Sequence, residues 1–173
     1  MTIHSGHPFV PPESEREPAR RLRGRVGGVV SLWTAADGQG RAGLTVSSLM
    51  VAAGEPAHIL ALLDPDSDLY ETLARTRVAV VQLLDWEHQR LADAFAGQFP
   101  APGGPFRLAD WADTAWGPHL VGATTWAGVR LVDDEPAAYG WSVLADTVIE
   151  SIEIQPEGVP LVHRRGRYQK PSG

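Results

Sequence analysis

The segment Gly43-Leu44-Thr45-Val46-Ser47-Ser48 contains residue types from which a binding site could be formed. It places small residues and hydroxyls at the end of a strand-like run, and hydroxyl and backbone N–H groups together can hold a phosphate or the polar edge of a cofactor ring. A strand that simply carries serine at its edge explains the same pattern equally well. The residue types alone therefore leave a binding segment and a plain strand edge as equal alternatives.

The remaining polar residues favour structural roles over catalysis. The acids at 64, 66 and 68 are spaced to cap a helix, and Asp133-Asp134-Glu135 suits a hairpin turn better than a catalytic pair. The chain has no serine-hydrolase elbow, zinc-protease motif, phosphate-binding glycine loop or dinucleotide glycine motif. Four histidines stand singly, and each is expected to be structural or on the surface: His58, His88, His119 and His163.

Metal and thiol chemistry are not expected. His4 and His7 have helical spacing for a metal ion, but they lie in a terminal segment that is predicted to be mobile, so no metal site is assigned. The chain contains no Cys, which excludes disulfides, thiolate nucleophiles and thiol zinc sites.

The composition is that of a globular chain. Its 173 residues fit one domain of roughly 100–200 residues, and 43% hydrophobic residues suffice for a packed core. The net charge is −6, with basic residues concentrated near the two termini and acidic residues between them, a balance that repels nucleic acid. No apolar run approaches the roughly 18 residues of a membrane span. No signal peptide is apparent, so we expect a cytoplasmic protein with no membrane or nucleic-acid partner.

Three segments are predicted along the chain. Residues 1–24 contain proline and mixed charges without periodicity, which is typical of a flexible N-terminal arm. A single domain follows over residues 25–168, and residues 169–173 form a C-terminal tail.

Strands dominate the predicted domain. Residues 26–34 and 41–47 read as a hairpin around a loose loop at 35–40. Residues 58–63 and 78–84 are short apolar runs that suit strands buried on both faces. Further strands are predicted at about 123–132 and 139–154.

Two short helices are expected between these strands. Asp68 and Glu71 fit a capping box, which predicts a helix from Asp68 to about Thr76. A second helix begins near Asp85 and places apolar and aromatic side chains at three- and four-residue spacing on one face. That face contains His88, Leu91, Ala92, Phe95 and Phe99.

The long strand at 139–154 changes phase along its length. Alternate residues from Trp141 to Ile149 share one face, but the next apolar positions are Ile152 and Ile154, so the pattern slips by one residue near Glu150-Ser151. A β-bulge produces such a slip, and bulges are common where a sheet closes into a barrel. The pattern therefore favours a mainly antiparallel barrel over a doubly wound parallel sheet.

Taken in order, five segments resemble the flavin reductase-like, FMN-binding split-barrel family over about residues 26–168. Counterparts of the family pattern are the turn Asp37-Gly38, the run Gly43 to Ser48, and Phe95-Ala96-Gly97. The segments are GVVSLWTAADGQGRAGLTVSSL (28–49), HILALLDPDSDLYETL (58–73), VAVVQLLDWEHQRLADAFAG (78–97), GPHLVGATTWAGVRL (117–131) and VPLVHRRGRY (159–168).

The resemblance implies a fold, a cofactor and a reaction. The fold is a mainly β, FMN-binding split β-barrel, antiparallel and Greek-key-like, with short flanking helices. The cofactor is FMN, with FAD as the other candidate, and NADH or NADPH is the co-substrate that gives a hydride to the flavin. Reduced flavin is often handed to a separate monooxygenase, and family members are typically homodimers.

The resemblance also implies where the cofactor lies. The isoalloxazine would rest against Thr45 to Ser48, with its pyrimidine edge near Leu62 to Asp64. Ser67 would help to hold the phosphate at the start of the short helix, where a helix N-terminus offers free N–H groups. The cofactor-binding residues implied in this way are Gly43, Thr45, Val46, Ser47, Ser48, Leu62, Leu63, Asp64, Ser67 and Phe95.

One departure from the family leaves two functions open. Many family reductases carry Gly-Asp-His where the long strand begins, and that His is associated with the nicotinamide site, whereas this chain has Gly140-Trp141-Ser142. Trp141 either stacks on a nicotinamide or flavin ring or blocks the dinucleotide, and in the second case the protein binds FMN with little or no NAD(P)H turnover. The closing segment resembles the family's PLxxxRGxY, which makes Tyr168 and Arg164 further candidates for the nicotinamide site. The reaction requires no catalytic group beyond the flavin.

Overall fold

The structure is a computed structural model and describes residues 17–172. Its helices are α1 (Pro18–Val26), α2 (Asp68–Thr76) and α3 (Gln89–Phe95), with 3-10 turns at Trp86–His88 and Pro105–Leu108. The strands of the first half are β1 (Gly28–Val29), β2 (Ser31–Asp37), β3 (Gly40–Val46), β4 (Leu49–Ala52), β5 (His58–Leu63) and β6 (Val78–Leu83). Those of the second half are β7 (Trp111–Thr114), β8 (Gly117–Leu120), β9 (Thr125–Leu131), β10 (Ala138–Tyr139), β11 (Ser142–Ile154), β12 (Val162–Arg164) and β13 (Arg167–Gln169).

The main sheet is antiparallel, and its two outer strands are neighbours in sequence. Its strand order is β3-β2-β6-β9-β11-β5-β4, with β10 paired to β11. Because only Ser47 and Ser48 separate β3 from β4, the sheet must curl until its two ends meet at that junction. The result is the predicted mainly β, antiparallel split barrel, which is thereby confirmed. Two small sheets, β1-β12-β13 and β7-β8, complete the fold.

Two hydrophobic clusters hold the sheet in place. One fills the curled interior and packs α2 against the sheet, with Trp33, Leu63, Leu69 and Leu73 fully buried. The other lies on the opposite face, between the sheet, α3 and the C-terminal strands. The sheet is therefore covered on both faces near β3, the strand that carries the segment of interest.

The structure corrects the predicted hairpin and the strand that follows it. β2 continues to Asp37 and only Gly38 and Gln39 form the turn, because the Asp37 carboxylate accepts the Gln39 N–H (2.8 Å) and so tightens a loop that was expected to be loose. β5 alternates between a buried and an open face, with Leu62 42% exposed, so it is not buried on both faces as predicted. β6 is buried on both faces, which confirms the prediction for that strand.

The two predicted core helices exist, with different starts and ends. α2 spans the predicted residues, and of the cap candidates at positions 66–68 its N-cap is Ser67, whose hydroxyl accepts the Tyr70 N–H (3.1 Å). Asp68 is the first helical residue, so the predicted capping box between Asp68 and Glu71 was wrong. The second segment is a 3-10 turn capped by Asp85, followed by α3, which ends at Phe95. Leu91, Ala92 and Phe95 face the core as predicted. His88 instead accepts the Asp85 N–H and belongs to the cap.

The predicted bulge in the long strand is confirmed. The register between β11 and β9 shifts between Ile149 and Ser151, which leaves Glu150 as the extra residue. The Glu150 carboxylate accepts hydrogen bonds from Arg130 Nε and from Trp116 Nε1, and these donors lower the pKa of Glu150. The hairpin of β7 and β8 lies at residues 111–120, where no strand was predicted.

Part of the predicted arm is helical. α1 occupies residues that were expected to be flexible, because Pro18 fits the first helical turn and Arg23 and Arg25 in the last turn complement the helix dipole. None of its residues is buried, so the sequence has no apolar core-facing pattern from which this helix could be predicted. Residues 1–16, including His4 and His7, lie outside the described part of the chain. No helix within residues 17–172 has the length and apolar character needed to cross a bilayer.

Candidate functional site

The junction between β3 and β4 presents unpaired polar groups at the open seam of the sheet. Ser47 is exposed, and within residues 17–172 its hydroxyl has no hydrogen-bond partner. The backbone N–H groups of Ser47 and Ser48 also have none among the described residues. Exposed N–H and hydroxyl donors side by side are suited to a ligand edge that carries oxygen and nitrogen acceptors.

The end of β5 is bonded directly to this junction. The Ser48 carbonyl accepts the Leu62 N–H (3.1 Å), and the Ser48 hydroxyl donates to the Leu62 carbonyl (2.7 Å). Leu62 is partly exposed, while its neighbour Leu63 is fully buried in the interior cluster. The two predicted parts of the site, Thr45 to Ser48 and Leu62 to Asp64, are therefore brought together.

Ser67 is connected to the end of β5 through a hydrogen bond with Asp64. Its hydroxyl donates to the Asp64 carbonyl (2.7 Å), and it accepts the Tyr70 N–H as the α2 cap. The exposed Asp64 carboxylate accepts the Asp66 N–H (2.9 Å). Since the Ser67 hydroxyl is engaged in this turn, the groups left to meet an anion there are backbone N–H groups at the start of α2.

Three other residues predicted for the site pack behind the β3–β4 junction: Gly43, Thr45 and Val46. The Thr45 hydroxyl donates to the Ala92 carbonyl of α3 (2.7 Å), and Val46 is buried among the interior residues. Gly43 lies so close to Phe95 that a Cβ there would be 2.5 Å from the ring. Phe95 itself is 5% exposed and packs edge-on against Phe106. The ring therefore lies in the core cluster behind β3, and its assignment to the cofactor site stays a prediction.

Trp141 lies at the same end of the barrel as Asp64. The pairing of Val143 with Leu63 brings the start of β11 alongside the end of β5, and Trp141 is two residues before that pair. The indole is 79% exposed, and the Arg20 guanidinium of α1 lies 5.8 Å from its ring centroid. Trp141 therefore projects from the edge and does not fill the barrel.

Tyr168 and Arg164 each have a hydrogen-bond partner within the chain, and their assignment to the nicotinamide site stays a prediction. The Tyr168 hydroxyl donates to Asp93 Oδ1 (2.7 Å), and burial together with this bond raises the Tyr168 pKa. Arg164 Nε donates to the Arg25 carbonyl at the end of α1 (3.1 Å). These contacts fasten β12 and β13 to the two nearby helices.

A cleft that the sequence did not predict lies at the other end of β3, near Arg41. It encloses about 400 Å³ between β3, the start of α2 and the loop before Leu108. We call it the Arg41 cleft, and it is lined by Arg41, Ala42, Gly43, Asp68, Gly103, Gly104, Pro105 and Phe106. The glycine pair in a proline-rich loop and an arginine just before the Gly43 to Ser48 run were the only signals in the sequence.

The chemistry of the edge suits an organic cofactor better than a metal. Residues 17–172 contain no group of three or more His, Asp or Glu side chains placed to hold a metal ion. The unpaired donors at Ser47 and Ser48 fit the carbonyl and nitrogen acceptors of a flavin ring, and the exposed Leu62 offers an apolar contact to its plane. The residues present therefore fit the flavin that the resemblance implies.

The curled antiparallel split barrel, with exposed donors at the junction of its outer strands, is the fold and site of a flavin-binding split-barrel protein. The chain belongs to the family defined by the flavin reductase like domain, whose family model matches residues 23–172.

Two similar proteins are named FMN reductase (NADH) RutF. The one from Serratia proteamaculans (strain 568) is 29% identical over 124 residues, which cover 71% of this chain and 70% of the relative. The one from Ancylobacter novellus is 31% identical over 122 residues, which cover 70% and 67%. The structure of the styrene monooxygenase flavin reductase (SMOB) from Pseudomonas putida S12 superposes with a TM-score of 0.78 at 17% identity, covering 90% of this chain and 98% of that one. The last similarity concerns the fold.

Proposed function

We propose that this protein is an FMN reductase that uses NADH. The observation that carries the proposal is the bonded edge formed by Ser47, Ser48 and Leu62, which offers free donors at the seam of a flavin reductase-like barrel. The relatives named FMN reductase (NADH) supply the choice of flavin and nucleotide. NADPH and FAD are the competing co-substrate and cofactor.

The protein's part in this reaction is to bind and orient. The N–H groups of Ser47 and Ser48 hold the polar edge of the flavin ring, and the backbone at Leu62 to Asp64 flanks it. When bound, FMN supplies the acceptor for the hydride of NADH. No side chain at the edge has to act as a nucleophile or to change its protonation state, which agrees with the absence of a catalytic triad.

The competing function is a flavin-binding protein with little NAD(P)H turnover. It rests on Trp141, which stands where many family reductases have a nicotinamide-site His. Since the indole is 79% exposed and stacked by Arg20, it leaves the seam open and does not plug it. The position of Trp141 therefore favours turnover and a role for this ring in contacting the dinucleotide.

Reduced flavin made here is proposed to serve a separate oxygenase. The fold matches the styrene monooxygenase flavin reductase, and an edge that lies at the surface permits release of the flavin. A cytoplasmic location, where NADH is produced, belongs to the same proposal.

A homodimer is also part of the proposal. β4 is an edge strand of the main sheet with Met50 and Val51 more than 60% exposed, a surface that a second copy would cover. Light scattering in solution tests this assignment, and a monomer at micromolar concentration would remove it.

The test of the reductase is the rate of NADH consumption by the full chain with added FMN. We expect turnover with NADH to exceed turnover with NADPH, and flavin to be required. The variant that distinguishes the two functions is Trp141→Ala, which keeps the Ser47 and Ser48 donors. Faster turnover in this variant would support the blocking function, whereas a raised KM for NADH would support contact between the indole and the dinucleotide.

A further inference from the structure

The helix α1 connects two points on the rim of the proposed flavin site. Just after its C-terminal end, Gly28 passes so close to the β3–β4 junction that a Cβ there would lie 2.9 Å from the Ser47 carbonyl oxygen. Near its N-terminal end, the Arg20 guanidinium lies 5.8 Å from the ring centroid of Trp141, at the end of the barrel where β5 finishes. α1 therefore runs along the opening of the site. Ser47 remains exposed, so the helix does not fill the site.

Packing contributes little to the position of α1. None of its residues is buried, and its two large apolar side chains, Leu22 and Val26, are 66% and 74% exposed. Main-chain carbonyls of its last turn accept hydrogen bonds from the Arg165 N–H (2.7 Å) and from Arg164 Nε (3.1 Å). These bonds hold the C-terminal end only. An element with so little buried apolar area moves away from the rest of the molecule at a low free-energy cost.

A glycine pair joins α1 to the fixed part of the chain. Gly27 has a φ of +63°, in the region that favours glycine, and a Cβ there would lie 2.9 Å from the His163 carbonyl oxygen. Two residues after Gly28, Val30 is buried and its N–H donates to the Leu161 carbonyl (2.8 Å). The change from an exposed helix to a fixed strand therefore falls at Gly27 and Gly28, whose backbone angles can change most freely.

The contact between Arg20 and Trp141 fastens the other end of α1. Both side chains are exposed, and a cation–π contact between exposed groups changes an equilibrium by only a few fold. The contact therefore favours the observed position of α1 without preventing its release.

We propose that α1 is a hinged strap that retains FMN at the β3–β4 junction and controls its exchange, with Gly27 and Gly28 as the hinge and the contact of Arg20 with Trp141 as the latch. The proposal rests on the proposed flavin-binding function and adds kinetic control to it. FMN enters and leaves while α1 is displaced. Weakening the latch therefore raises the association and dissociation rates by the same factor and leaves the Kd of FMN unchanged.

The first experiment measures both rates with the full chain by rapid mixing, followed by the change of FMN fluorescence on binding. Arg20→Gln removes the cation from Trp141, and Arg23→Gln, at an exposed arginine of the same helix, is the matched control. We expect Arg20→Gln to raise both rates about threefold, the factor that an exposed cation–π contact supplies. Arg23→Gln should exchange FMN at the wild-type rates.

A cross-link tests the same motion in the opposite direction. Since the chain contains no Cys, the double variant with Arg20→Cys and Trp141→Cys reacts with a bis-maleimide at these two positions alone. The reagent contains a disulfide, so that a reductant can cleave it. We expect the cross-linked chain to release FMN at least about tenfold more slowly than the untreated double variant, and cleavage of the linker to restore the rate. Each single Cys variant, treated with the same reagent, controls for the modification itself.

Unchanged FMN rates in Arg20→Gln and in the cross-linked chain would overturn the proposal. A faster dissociation with an unchanged association rate in Arg20→Gln would overturn it as well, because Arg20 would then be a contact of the bound flavin and not a latch. Either result refutes the strap alone. Failure of the wild-type chain to bind FMN would refute the proposed function, and the strap with it.

Discussion

The hydroxyls of the two serines at the β3–β4 junction have different hydrogen bonds. Substitutions at the two positions can therefore separate an effect on FMN binding from an effect on stability. Ser48 donates to the Leu62 carbonyl, whereas the Ser47 hydroxyl has no partner within residues 17–172. We expect Ser48→Ala to lower the free energy of unfolding by about 1 kcal/mol. Ser47→Ala should leave stability unchanged and weaken FMN about fivefold, a loss near 1 kcal/mol.

Urea unfolding and flavin titration on both variants check this prediction. If Ser47→Ala loses stability and retains its affinity for FMN, the exposed hydroxyl is not part of the flavin site. Ser48→Ala then serves as the control for a hydroxyl whose bond is internal.

Tyr168 gives a pH dependence with a definite sign. Burial and the bond to Asp93 raise its pKa, so the folded chain keeps the phenol proton at a pH where the unfolded chain has lost it. The stabilisation is therefore complete below the ordinary tyrosine pKa of about 10 and falls as the pH rises above it.

Tyr168→Phe tests this stabilisation. The variant should be less stable at neutral pH, by about 1–3 kcal/mol, and its stability should fall less steeply above about pH 10. Tyr139→Phe, a change at an exposed tyrosine, is the matched control and should behave like the wild type. An unchanged alkaline profile in Tyr168→Phe would contradict the assignment. Turnover at saturating NADH should be retained, since Tyr168 faces α3.

The sequence predicted the polar run from Gly43 to Ser48 but not the hydrogen-bond partners of its side chains. The hydroxyls at Thr45, Ser47 and Ser48 were visible as a pattern. Which of them is free depends on Ala92 and Leu62, which are distant in sequence and come close only when the barrel forms. Arg41 was missed for the same reason, because its cleft is completed by a loop more than sixty residues away.

The bulge in β11 is the element that determines which side chains face the interior at each end of the strand. Glu150 is the inserted residue, and the register resumes at Ser151 opposite Gly128. Deleting Glu150 should be far more damaging than truncating it, because a one-residue shift turns every later side chain to the opposite face. We expect a loss of at least about 3 kcal/mol for the deletion.

Glu150→Ala is the comparison. It removes the exposed contacts to Arg130 and Trp116 but keeps the bulge, so it should cost no more than about 1 kcal/mol. Unfolding in urea measures both variants. Equal losses would show that the carboxylate, and not the backbone insertion, stabilises the strand.

The sequence predicted that a helix or strand exists wherever the apolar periodicity is strong. It did not predict the residues at which these elements begin and end. The alternation in 139–154 revealed both β11 and its bulge, and the capping pattern of Asp68 and Glu71 predicted α2. The turn after β2 depended on the Asp37 carboxylate, and the pattern did not show that β2 continues to that residue. α1 buries nothing, so no hydrophobic pattern was present to reveal it.

The whole molecule is a curled sheet whose two edges meet at the predicted cofactor segment. The strand order could not be read from the sequence, since β3 and β4 are sequence neighbours that lie at opposite ends of the sheet. The family resemblance supplied the split-barrel fold class, which the structure confirms, and the structure adds the strand order. Within residues 17–172, closing the sheet at Ser47 and Ser48 leaves their backbone N–H donors unpaired, and such fixed donors suit a flavin ring edge.

We propose that the β3–β4 junction binds FMN in a position in which NADH can reduce it. The most direct measurement is anaerobic mixing of the FMN-loaded chain with NADH while the visible flavin absorbance is followed. We expect rapid loss of that absorbance in the wild type. In Ser47→Ala we expect less bound flavin but the same rate of reduction per bound flavin. Stable visible absorbance of bound FMN in the presence of excess NADH and of excess NADPH would contradict it and would make the chain a flavin-binding protein without reductase activity.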